Sequence, residues 1–97
     1  MNKFRWLKER YSKNGYRFSL VERIGDVCIY RQESDGNVIV YEVFRVRKLP
    51  ERLINGRKIE AREATPANED WGKTGFSCWG MIEARKRASQ LLNQAPK

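Results

Sequence analysis

Six basic residues, Arg45, Arg47, Lys48, Arg52, Arg57 and Lys58, stand between positions 43 and 58, with Glu51 as the one acidic residue among them. Guanidinium and ammonium groups at this density suit phosphate or carboxylate partners, and each phosphate contact makes binding salt-dependent. Asn55-Gly56 in their midst favours a tight turn that would lay the two arms side by side and bring the charges together. The same charges have a blander reading, as a solvated hairpin whose cations blunt an exposed strand edge. A second basic run, Arg85-Lys86-Arg87, falls in a helical pattern, where consecutive residues do not share a face. Arg85 and Arg87 would flank the apolar stripe and Lys86 would point away.

The segment Asn68-Glu69-Asp70-Trp71-Gly72-Lys73-Thr74-Gly75 ends like a phosphate-binding loop. That motif needs a glycine five positions before Gly72, and Ala67 stands there; no apolar strand leads in either. Trp71 is therefore read as an anchor for the loop, and the adjacent carboxylates Glu69 and Asp70 as weak material for a metal site. The chain has no histidine, which removes the commonest general base and most zinc sites. Cys28 and Cys78 lie far apart and read as reduced, buried small hydrophobes. No catalytic constellation, metal site or cofactor motif emerges, so a binding module rather than an enzyme is expected.

The elements that must position these groups follow from hydrophobic period and turn chemistry. Phe4, Leu7 and Tyr11 fall at helical spacing, with Lys3, Arg5, Lys8 and Arg10 elsewhere, which predicts a short helix over residues 4–12 stopped by Asn14-Gly15. Tyr16 to Ile24 alternates, with Phe18, Leu20 and Ile24 on one face. Gly25-Asp26 and Ser34-Asp35-Gly36-Asn37 then punctuate two further strands, Val27 to Gln32 and Val38 to Val46, giving an antiparallel meander. In the last of these, Ile39, Tyr41 and Val43 share a face that continues into Arg45 and Arg47. Val38, Val40, Phe44 and Val46 take the other, interrupted by Glu42. Either this strand is buried on both faces or a bulge near residue 44 shifts its register. Leu49-Pro50 ends the pattern. A charged hairpin follows around Asn55-Gly56, then a loop over residues 64–75, with Phe76 to Trp79 as a last short strand or the approach to a helix. Met81, Ala84, Ala88, Leu91 and Leu92 form one apolar stripe, which predicts a C-terminal helix from Gly80 to Asn93.

The expected fold is thus α+β: an antiparallel sheet of four to five strands, built from a three-stranded meander plus a hairpin, with the C-terminal helix on one face, together with the short N-terminal helix. The 97 residues fit a single domain, with 1–15 as the helical segment, 16–93 as the core and 94–97 as a tail. The net charge is +8, from 20 Lys and Arg against 12 Asp and Glu, and favours anionic partners. No run is apolar enough for a membrane span or a signal peptide, which points to the cytoplasm and away from membranes.

From the third strand onward the chain resembles a group of small, uncharacterised phage and prophage proteins. The matching order is Tyr41-Glu42-Val43, a basic stretch, the turn Asn55-Gly56, Pro66-Ala67-Asn68-Glu69-Asp70-Trp71-Gly72, an aromatic-containing strand and a terminal helix. The resemblance implies a phage origin, hence a host cytoplasm, and no established activity. Gly75, Ala84-Arg85-Lys86-Arg87-Ala88 and Leu91-Leu92 are similar to the last helix of double-stranded-RNA-binding domains. The lysine pair those domains place at the helix start is absent, and Gly80-Met81 stands there. Two partner classes follow: DNA or RNA held through phosphate contacts, or a host protein bound through an acidic or nucleic-acid-binding surface.

Overall fold

The computed structural model describes residues 5–94, apart from the side chain of Asn68. Its centre is a five-stranded antiparallel sheet in the order β1 (Arg10–Lys13), β2 (Tyr16–Ile24), β3 (Val27–Ser34), β4 (Asn37–Arg45) and β9 (Gly75–Cys78). The helix α1 (Met81–Asn93) lies across one face. Between β4 and β9 the chain forms β5 (Arg47–Leu49), β6 (Arg52–Ile54), β7 (Arg57–Ile59) and β8 (Arg62–Ala64), outside the main sheet. The α+β architecture with a C-terminal helix on an antiparallel sheet agrees with the sequence pattern.

The N-terminal helix does not form within the described residues; Phe4 lies outside them. Arg10–Lys13 is a strand, with Tyr11 opposite Phe18 and Lys13 opposite Tyr16. The turn chemistry decides this. Asn14 and Gly15 have φ of 54° and 82°, the two positive values that a type I′ hairpin turn requires. The dipeptide read as a helix stop is a hairpin turn, and it pairs a segment too short to hold a helix alone. The meander therefore has four strands, and the fifth place in the sheet belongs to β9 rather than to the charged hairpin.

Both faces of the sheet are covered. Val27, Ile29, Val43 and Cys78 pack against Ala84, Ala88 and Leu91 of α1. The two alanines have side chains short enough for a close helix–sheet approach. Phe18, Cys28, Tyr30, Phe44 and Val46 form a second cluster on the other face, joined by Leu7, Tyr11, Leu20 and Trp71. Strand β4 is thus buried on both faces, the first of its two alternatives. Its register shift lies at Ile39, opposite the Gln32/Glu33 step, rather than near residue 44. A second bulge, at Val21, inverts the alternation of β2. Phe18 and Leu20 face the aromatic cluster, whereas Ile24 falls on the helix side, 57% exposed beside Ala88 and Leu92.

Arg85 and Arg87 flank the stripe of α1 on opposite sides. Arg85 reaches Glu22 of β2 at 2.7 Å, and Arg87 lies 4.3 Å over the Phe76 ring of β9. Cys28 and Cys78 are free thiols in different clusters on opposite faces of the sheet. Burial pushes the Cys28 thiol up to about 11, which leaves it inert at neutral pH. No helix among the described residues is long and apolar enough to cross a membrane.

Candidate nucleic-acid interface

The segment Arg47–Ala64 is one long hairpin. Its pairs run in a single register from Arg47↔Ala64 to Ile54↔Arg57, and the ladder breaks at Pro50, which has no N–H to donate. Asn55 and Gly56, at φ 51° and 75°, close it. Its base is fixed and its tip is exposed. At the base, Arg5 N–H donates to Ala61 O at 3.0 Å and Glu63 N–H donates to Arg5 O at 2.7 Å, so Arg5 makes a single parallel bridge to Arg62 of β8. Glu63 ties this layer to the sheet. Its buried carboxylate accepts from both terminal nitrogens of Arg23, at 2.7 and 2.5 Å, and from Leu7 N–H at 3.1 Å. The Arg23 guanidinium, above all, holds the Glu63 carboxyl below the usual carboxylate range, against the opposing pull of desolvation. The same guanidinium lies 5.4 Å from the Trp6 ring centroid.

Between this clamp and the sheet runs a groove of about 400 Å³. Arg5, Lys8, Lys13, Arg47 and Arg62 line it, with Trp6 and Tyr11 among them. Glu63, the one acidic residue of the lining, is neutralised by Arg23. The groove is therefore a strip of cations interleaved with aromatic rings. Lys8 is held in place through its carbonyl, which accepts from the Tyr30 hydroxyl at 2.9 Å. Arg47 Nε donates to Thr65 O at 2.7 Å, leaving its two terminal nitrogens for a partner. Arg5 and Arg62 also line an adjoining recess of about 350 Å³ with Arg52, Lys58 and Glu60, whose carboxylate lies 3.9 Å from Arg5, so four cations against one acid extend the strip toward the hairpin tip.

The six basic residues singled out from the sequence thus separate. Arg47 lines the groove, and Arg52 and Lys58 line its continuation. Lys58 also pairs with Glu51 at 3.0 Å. Strand alternation puts Arg52 and Arg57 on one side of the tip and Lys58 on the other. Lys48 and Arg57 are exposed but line neither depression. Arg45 is half-buried and held within the fold. It pairs with Asp26 at 2.6 Å and donates to the Leu91 carbonyl at the end of α1, where a cation also opposes the helix dipole. It is a structural tie and is unavailable to an outside anion. Trp71 packs edge-on against Phe44, with ring centroids 6.2 Å apart. It completes an aromatic series that runs through Tyr11, Phe18, Tyr30 and Phe44 across four strands.

Arg5 and Lys8 were placed by period off the apolar stripe of a helix over residues 4–12, and Lys13 was given no role, so their place in a groove was not foreseen. The readable signal was Asn14-Gly15, the same dipeptide that marks the later hairpin. The Gly72-Lys73-Thr74 segment is a tight turn whose N–H groups are internally paired, Gly72 to Gly75 O and both Lys73 and Thr74 to Asp70 O. It therefore presents no cradle for phosphate. Among the described residues no group of three or more Cys, Asp or Glu is placed to hold a metal ion. Comparison with family models, with curated proteins and with solved structures gives no match.

Proposed function

We propose that the protein is a non-enzymatic binding module for single-stranded nucleic acid, with the phosphate backbone running along the groove. The observation that carries this reading is the groove itself: five cations, two aromatic rings and no uncompensated carboxylate along one strip. Cations spaced along a channel track phosphates without reading sequence, and the exposed Trp6 ring among them offers a stacking platform for an unpaired base. The formal charge of +8 adds a long-range attraction of the same sign. Fluorescence anisotropy with single-stranded and duplex oligomers over a salt series tests the reading. Single strands should bind more tightly, with affinity falling steeply as salt rises. Affinity independent of salt would contradict it.

One observation favours the alternative, a phage-type module that occupies a host protein. Trp79 and Ile82, three residues apart at the start of α1, are 80% and 79% exposed. Capture from host lysate with and without nuclease separates the two. A stoichiometric protein retained after nuclease treatment would move the assignment to the protein partner.

A further inference from the structure

Where the groove meets the aromatic cluster it opens into a second cavity of about 260 Å³, which shares Tyr11, Lys13 and Thr65 with it. Glu42 lines this cavity. It stands on the face of β4 that carries Val40 and Phe44, the position where a carboxylate interrupts an apolar row. The two carboxylates of this face are treated differently. Glu63 receives three donors, whereas no described residue donates a hydrogen bond to Glu42. The half-buried Glu42 carboxylate is thus not tied up within the fold, and its oxygens are open to the cavity and to solvent. Tyr16 and Trp71, and the amide-bearing residues Asn14 and Gln32, line the same cavity.

We infer that this cavity takes one base of a bound single strand and that Glu42 selects guanine, an inference that rests on the groove bringing the backbone to the cavity's rim. The selection follows from donor patterns. A carboxylate offers two adjacent acceptors, and the Watson–Crick edge of guanine presents two adjacent donors, N1–H and the N2 amine. Adenine and cytosine each place a ring-nitrogen acceptor beside their single amine. Thymine and uracil flank one N–H with two carbonyls. Only guanine meets both oxygens without setting an acceptor against one of them. The amides of Asn14 and Gln32 supply the donor type that guanine O6 requires, and the rings supply stacking. An organic ammonium also suits a carboxylate among aromatic rings. Here it would meet Lys13 in the same lining and Arg5, Lys8, Arg47 and Arg62 in the adjoining groove, which repel it. A neutral base carrying a phosphate matches both regions.

The test is anisotropy with thymidine oligomers carrying one central guanine, adenine or hypoxanthine, repeated with uridine oligomers; the tighter series identifies DNA or RNA as the source. The guanine oligomer should bind roughly tenfold more tightly than the adenine one, with hypoxanthine, which lacks the N2 amine, between them. Glu42→Gln should abolish the difference and leave affinity for the thymidine-only strand in place. Equal affinity of the native protein for guanine and adenine oligomers overturns the guanine site, while salt-dependent binding of the thymidine-only strand would still uphold the groove. Guanosine and adenosine monophosphates, titrated singly against the Trp71 indole NMR signal, examine the cavity without the groove. A shift with guanosine monophosphate alone supports the site, and no shift, or an equal shift with both, overturns it.

Discussion

Two carboxylates on one face of the sheet make opposite contributions to stability. Glu63 titrates below its ordinary range in the folded protein because Arg23 and the Leu7 N–H hold its charged form. Its contribution is present above the unfolded carboxylate value and is lost as pH falls through the folded one. Glu63→Gln breaks a pair whose acidic partner is buried and should cost about 3 kcal/mol, read as a fall in the urea midpoint at neutral pH. Glu42 titrates above its ordinary range, chiefly through burial, with Lys13 pulling the other way. Folding therefore disfavours its charged form, and stability falls as pH rises from the unfolded value through the folded one. Glu42→Gln should accordingly raise the urea midpoint at pH 7, by less than about 1 kcal/mol because the group is only half-buried, and the gain should vanish in acid. A stabilised variant that loses guanine selection would place Glu42 among residues kept for binding rather than for folding.

Arg45 and Arg52 separate structural from surface cations in the same way. Arg45→Ala removes an ion pair and a bond to the end of α1 and should cost about 2 kcal/mol in urea unfolding. Arg52→Ala at the exposed tip should leave stability within about 0.5 kcal/mol.

At the scale of elements, β3, β4 and α1 were legible because their patterns are long and mutually consistent. The stripe of Ala84, Ala88 and Leu91 on α1 is buried as its spacing implies. Leu91 is fully buried, and Leu91→Ala should cost about 3 kcal/mol, measured by thermal or urea unfolding. Leu92, on the edge of the same stripe, is 39% exposed, and Leu92→Ala should cost visibly less. What was not legible has two physical causes. The apolar positions of the N-terminal segment, Leu7 and Tyr11, fit a helix by spacing, but Tyr11 stacks on Phe18 at 4.8 Å in a strand pair that spacing does not reveal. The bulges at Val21 and Ile39 invert side-chain parity, and no residue type announces such a shift. The groove went unseen for the same reason, since it depends on where an N-terminal strand and a hairpin base meet. The adjoining cavity did leave a trace, because Glu42, which lines it, interrupts an otherwise apolar row.

For the whole molecule, charge number and charge placement make different predictions. If the surplus of basic residues acted only as a diffuse field, removing any three exposed cations would change binding equally. The groove makes the five cations that line it matter more than the rest. The most direct measurement is the dependence of affinity on salt for two folded triple variants against the native chain, using a thymidine oligomer. One variant replaces Lys8, Lys13 and Arg62 in the groove with Ala; the other replaces Arg52, Arg57 and Lys58 at the hairpin tip. With about 0.7 of a counterion released per phosphate contacted on a single strand, the groove variant should lower the magnitude of the log–log slope by about 2. The tip variant should lower it by less than about 1, since Arg52 and Lys58 line only the continuation of the strip and Arg57 lines neither depression. Equal slopes for the two variants, or a native affinity that does not change with salt, would contradict the groove as the binding surface.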